Sequence, residues 1–153
     1  MKQWSDISYR FATKEDSQKI YELALRAVSS MDIPRFAEDA GDDLFERINK
    51  GEKSVIIAED TTINDNVIGY IEMEADSLLD GDAVFIREIY VLPEYRRGGI
   101  GKRMLEMMLK EITQNEKHIR VNAYTEDELK FWEFLGFKIR FYSLNYEHSK
   151  QKK

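Results

Sequence analysis

Apolar residues recur along this chain at two different spacings, and the switches between them divide it into elements. Residues 7–12 alternate weakly between apolar and polar and predict a first strand. Thr13 follows as an N-cap, with Asp16 three residues on as an acidic variant of the capping box. Ile20, Leu23, Ala24, Ala27 and Val28 then fall at helical spacing, so residues 14–30 read as an amphipathic helix. Pro34 interrupts, and residues 37–49 form a second helix candidate, with Leu44, Phe45 and Ile48 on one face and Gly51 beyond its end. Strands follow at 54–59, 67–74 and 84–92, joined by polar turns at 62–66 and at Asp80-Gly81-Asp82, and Pro93 stops the last of them. Connections this short make an antiparallel meander.

Beyond Pro93 the period changes back. Ile100, Met104, Leu105, Met108 and Ile112 define the apolar face of a helix over residues 100–115, its methionines serving as core filler. Residues 119–124 predict a strand that a helix-length crossover places parallel to the 84–92 strand. A short helix at 126–135 is ended by Gly136, and residues 137–146 predict a last strand. The order β-α-α-β-β-β-α-β-α-β describes an α/β fold, a mixed sheet with helices on both faces. One domain over residues 1–147 and a basic tail at 148–153 are expected, with no internal repeat or linker.

Composition narrows the chemistry. At 42% hydrophobic, the 153 residues can fill a core without staples. No apolar run approaches a membrane span and no leader-like stretch opens the sequence, so a cytoplasmic protein away from membranes is the expectation. With no cysteine, disulfides, thiolate metal sites and a cysteine nucleophile are excluded, and His118 and His148 are too few for a histidine-rich metal site; no metal is expected. A formal net charge of −6 argues against nucleic-acid binding and suits a cationic substrate.

The candidate chemistry lies at Arg96-Arg97-Gly98-Gly99-Ile100-Gly101. A strand running through a glycine-rich loop into a helix brings backbone N–H groups and the positive end of a helix dipole to one point, and Arg96, Arg97 and Lys102 add charge there. The loop is not a P-loop, because Gly101-Lys102 is followed by Arg103 and the position five before Gly101 is Arg96. It is not a dinucleotide fingerprint either, because Met104 stands third after Gly101 and no βαβ unit precedes it.

What fits is Arg/Gln-x-x-Gly-x-Gly/Ala, met by Arg96, Gly99 and Gly101. The stretch Ile89-Tyr90-Val91-Leu92-Pro93-Glu94-Tyr95-Arg96-Arg97-Gly98-Gly99-Ile100-Gly101 resembles the central motif of the GCN5-related N-acetyltransferase (GNAT) superfamily. The opening Tyr9 to Asp16 and Phe131-Trp132-Glu133-Phe134-Leu135-Gly136-Phe137 are similar to the family's first strand and its C-terminal Tyr-x-x-x-Gly-Phe signature. The resemblance implies acetyl-CoA as co-substrate, its pantetheine arm pairing with the backbone of Val91 and Leu92 and its pyrophosphate held by Arg96, Arg97, Gly98, Gly99, Ile100, Gly101 and Lys102. It implies that Asn122 bonds the pantetheine amide, or else merely ends a strand, and that Trp132 walls the cofactor or fills the core.

Acetyl transfer to an amine needs a base, because an alkylamine with a pKa of about 10 is charged at neutral pH. Glu88 is the candidate, with Glu72 and Glu74 behind it; ion pairing with Arg87 or plain solvation is the competing role for these carboxylates. A backbone N–H near Val91 or Leu92 would meet the oxyanion. The family's usual tyrosine acid is replaced by Trp132, whose indole N–H is no proton donor to a thiolate; Tyr124 and Tyr142 are nearby in chain order. The expected activity is therefore an N-acetyltransferase acting on a small-molecule or peptide amine in a ternary complex. A non-catalytic acyl-CoA-binding module, favoured by Trp132, and an unrelated nucleotide binder are the alternatives. Residues 29–37 and 76–82 and the last strand would shape the acceptor pocket, where Asp32, Asp39, Asp42 and Asp43 hint at a cation. Family members are often dimers, which leaves a homodimer open.

Overall fold

The computed structural model describes residues 6–29, 55–64, 66–75, 83–113, 118–144 and 146. They fall into two compact units, Met1–Asn122 and Ala123–Lys153.

The first unit is built on five strands: β1 (Ile7–Phe11), β2 (Val55–Asp60), β3 (Val67–Ala75), β4 (Ala83–Val91) and β5 (His118–Val121). They lie side by side in chain order. The first four are antiparallel and β5 runs parallel to β4, as the helix-length crossover requires. The helices are α1 (Ser17–Ser29), after a 3₁₀ turn at Lys14–Asp16, and α2 (Ile100–Thr113).

The turn into α1 is set by local chemistry. The Asp16 carboxylate accepts the Thr13 N–H at 2.7 Å, the reciprocal half of the capping box. Arg10 forks onto both Asp16 oxygens at 2.7 and 2.8 Å and reaches Glu59 at 2.7 Å, tying β1, β2 and the helix start together. Those hydrogen bonds from Arg10 hold Asp16 below the usual carboxylate range, against the desolvation of its buried site.

Alternation along the strands gives the sheet two apolar faces. Val55, Ile57, Val67, Tyr70 and Tyr90 pack with Ile20, Leu23, Ala24 and Ala27 of α1. Ile56, Ala58 and Ile71, fully buried, point the other way. α2 packs on β2, β3 and β4, with Ile100, Met104, Leu105 and Met108 buried. Each such side chain contributes about 1.5–3 kcal/mol on burial, which fixes α2, and the loop before it, to the sheet.

The second unit carries α3 (Glu126–Phe134), capped by the Thr125 hydroxyl accepting the Glu128 N–H at 3.1 Å. One expected element, the strand at 137–146, is corrected here: among the described residues, 137–144 and 146 form no strand. Phe141, Tyr142, Leu144 and Tyr146 are 62–89% exposed, and alternating apolar residues make a strand only where a ladder accepts their backbone. The expected helix at 37–49, the Asp80-Gly81-Asp82 turn, the four aspartates between 32 and 43, and the 148–153 tail lie outside the described residues.

Candidate active site

β4 and the loop that follows it carry most of the site. Leu92 follows the strand with both backbone groups engaged: its N–H donates to Ile68 of β3 at 2.9 Å and its carbonyl accepts from Tyr95 at 2.9 Å. Pro93–Tyr95 form a single 3₁₀ turn with the proline at its start, where the missing N–H costs nothing. The chain then reverses through two left-handed residues, Arg97 (φ 65°) and Gly99 (φ 83°), and α2 begins at Ile100. The Gly99 carbonyl accepts the first bond of the helix, from Arg103 at 2.9 Å. A Cβ built on Gly99 meets nothing within 4 Å, so the backbone angle, not crowding, calls for glycine. The space above it lies at the mouth of the first helical turn, whose N–H groups have no intrahelical partner.

A buried bond anchors this loop. The Tyr95 hydroxyl donates to Asp60 Oδ2 at 2.6 Å, and Asp60 Oδ1 accepts from the Thr62 hydroxyl at 2.6 Å and its N–H at 3.0 Å. The hydrogen bond to Asp60, burial and the nearby negative charge together raise Tyr95's pKa to about 12, since each favours the neutral phenol.

The loop's cations divide. Arg97 and Lys102 are exposed beside the α2 N-terminus. Arg96 turns back toward the strand: its Nε donates to the Val91 carbonyl at 2.8 Å and its guanidinium lies 5.3 Å from the centre of the Tyr90 ring.

The β4–β5 ladder joins only Ala83–Ile86 to His118–Val121. Immediately past it the β3–β4 register slips, so that Glu88 faces Glu72 while Ile86 faces Met73, and Arg87 is the bulged residue between. From Arg87 to Val91 the outer edge of β4 therefore lies beyond the end of β5. Backbone groups alternate in direction along a strand, and the Leu92 N–H is turned to β3, so the Val91 N–H faces that outer edge. Of the two residues the sequence offered for main-chain bonding, Val91 is the one with its amide so directed. Close approach helps hold this geometry, for a Cβ on Gly69 would come within 2.8 Å of the Tyr90 carbonyl oxygen.

Carboxylates cluster on the α1 side of the same strands. The Tyr70 hydroxyl donates to Glu88 Oε2 at 2.7 Å. Arg87 approaches Glu72 at 3.3 Å and Glu74 at 3.5 Å; Glu72 is 4% exposed. Asn122, one residue past β5, is exposed and accepts from Arg120 at 3.2 Å. In the second unit Trp132 is buried edge-on to Phe131 and Phe137, while Tyr124 and Tyr142 are exposed. Tyr70, Asp60 and Tyr95 escaped the sequence reading. Their only signal was a tyrosine two residues before Glu72, an aspartate ending a strand and a buried aromatic in the loop.

Comparison with known families decides the class. Residues 51–139 match the model described as acetyltransferase (GNAT) domain, more than half of the chain. The chain belongs to this family. Solved structures agree on the fold of this GNAT domain. The PaiA N-acetyltransferase of Thermoplasma acidophilum, in complex with coenzyme A, superposes with a TM-score of 0.68 at 18% identity, over 88% of this chain and 91% of that one. The diaminobutyrate acetyltransferase EctA of Paenibacillus lautus, in complex with L-2,4-diaminobutyric acid and coenzyme A, gives 0.65 at 20%, over 85% and 73%. A ribosomal-protein-alanine N-acetyltransferase of Brucella melitensis gives 0.65 at 14%, over 92% and 98%. No curated protein matches by sequence. Among the described residues no helix is long and apolar enough to cross a membrane.

Proposed function

We propose that this GNAT domain transfers the acetyl group of acetyl-CoA directly to a primary amine in a ternary complex. One observation carries the reading: the glycine loop at the α2 N-terminus opens beside the stretch of β4 that has outrun β5. A diphosphate fits the first, with Gly99, Ile100, Gly101 and Lys102 supplying N–H groups and Arg97 and Lys102 supplying charge. An extended amide-bearing arm fits the second, bonded to β4 as an added strand. Arg96, on the Val91 carbonyl, stands where the two meet. Asn122 bonds the arm from the β5 side.

The chain's own groups then supply the chemistry. Glu88 takes a proton from the acceptor ammonium, leaving a lone pair on nitrogen. As nitrogen attacks the thioester carbon, the Val91 N–H donates to the oxygen that gains charge. The C–S bond breaks, sulfur leaves as the thiolate, and the nitrogen sheds its second proton to solvent. With Trp132 at the usual acid position, that thiolate takes its proton from water. Among the described residues this face carries Glu72, Glu74 and Glu88 beside Arg87, which favours a cationic acceptor. The diaminobutyrate held by the Paenibacillus relative makes a small amine with a second charged group the first acceptor to try.

The test is release of free thiol from acetyl-CoA across a panel of diamino acids, polyamines, aminoglycosides and lysine peptides. Thiol release with at least one amine is expected. Coenzyme A binding without turnover on any of them would replace this reading with that of an acyl-CoA-binding module.

A further inference from the structure

Tyr70 is 0% exposed and belongs to a buried core cluster with Ile20, Leu23, Ala24 and Ala27 of α1 and Val55 and Ile57 of β2. A phenol in such surroundings must find a partner for its hydroxyl. It finds Glu88, diagonally across the β3–β4 ladder, since Tyr70 faces Tyr90 and Glu88 faces Glu72. The ring cannot follow a moving carboxylate. β3 is paired on both sides, to Ile57 and to Tyr90, and the core fills the space around the aromatic plane.

Resting on the reading of Glu88 as the base, we propose that Tyr70 is the positioning residue for that base. It fixes the Glu88 rotamer, and it holds the carboxylate ionised by donating to the charged form. The donor is neutral, so it orients the base without cancelling its charge. Arg87, the nearest cation in sequence, is turned to Glu72 and Glu74. Among the described residues, Glu72 and Tyr70 on β3 and Tyr90 and Arg87 on its own strand hold the ladder positions around Glu88. Tyr70→Phe removes one oxygen and leaves these groups in place.

The experiment compares Tyr70→Phe, Glu88→Gln and the double variant, using acetyl-CoA and the best amine of the panel. In Tyr70→Phe, kcat is expected to fall on the order of 10-fold, as loss of a hydrogen bond to a charged group implies. The acid limb of kcat/KM should move to higher pH, because the carboxylate has lost the donor that favoured its charged form. Coenzyme A affinity should stay unchanged. On the Glu88→Gln background the same change should cost nothing more. An unmoved pH profile, or an equal loss on both backgrounds, overturns the inference while the base assignment stands. Full activity in Glu88→Gln overturns the base assignment, and this inference with it.

Discussion

Two tyrosines in this molecule donate to a carboxylate across neighbouring elements, Tyr95 to Asp60 at 2.6 Å and Tyr70 to Glu88 at 2.7 Å. The bonds are alike; the surroundings differ. Asp60 is buried, and its two oxygens also serve the backbone and hydroxyl of Thr62. It is an acceptor used to pin a loop to the end of β2. Glu88 is only half-buried, at the stretch of β4 that β5 no longer covers. A buried carboxylate enclosed by donors holds structure together, whereas a half-buried one is the better candidate for proton exchange, the role proposed for Glu88.

The comparison can be broken in order of expected effect. The loop that Tyr95 anchors is the proposed cradle for coenzyme A. Gly99→Glu places a negative charge at the helix N-terminus and strains a φ of 83°, so calorimetric titration should detect no coenzyme A binding. Unchanged affinity would sink the cradle. Glu88→Gln should lower kcat by about 10² to 10⁴, the usual weight of a general base, while coenzyme A still binds. If kcat survives, the two carboxylates are both structural. Asp60→Ala strands the Tyr95 hydroxyl and the Thr62 groups and should cost about 2–3 kcal/mol in denaturant unfolding. It should also weaken coenzyme A binding more than it lowers kcat at saturation, the reverse of Glu88→Gln. Tyr95→Phe is the mildest, about 1 kcal/mol, and its effect should depend on pH.

The sign of that last dependence follows from which form the fold prefers. Tyr95 is raised in the folded state from 10.0 to about 12, so the folded protein favours the neutral phenol. The contribution is complete below pH 10 and is lost as pH rises toward 12. Wild type and Tyr95→Phe should therefore differ in denaturation midpoint at neutral pH and converge at the alkaline end. A gap that stays constant from pH 9 to 12 would remove the Asp60 bond from the account.

Much of the fold was legible because it rests on local patterns. The meander of β2, β3 and β4 follows from alternation and polar turns, and α2 from Ile100, Met104, Leu105 and Met108 at helical spacing. The glycine loop was legible for the same reason: glycine at 99 answers a local backbone need, and the helix it opens follows directly in sequence. The exceptions are as informative. Residues 137–144 alternate as a strand should yet pair with nothing described, since a ladder depends on a partner that alternation alone does not name. Leu92 and Val91 look equivalent in sequence. Only the bond from the Leu92 N–H to Ile68 shows which amide faces outward.

By itself, then, the sequence determined the family. The Arg96–Gly101 spacing between a strand end and a helix start sits within one short stretch of chain, and neighbouring residues dictate its shape. Tertiary structure decided what Glu88 is attached to. Tyr70 is 18 residues away, and only the β3–β4 register with its bulge at Arg87 brings the hydroxyl to the carboxylate. Contacts of that kind depend on pairing between strands, where a shift of one residue turns every side chain to the opposite face.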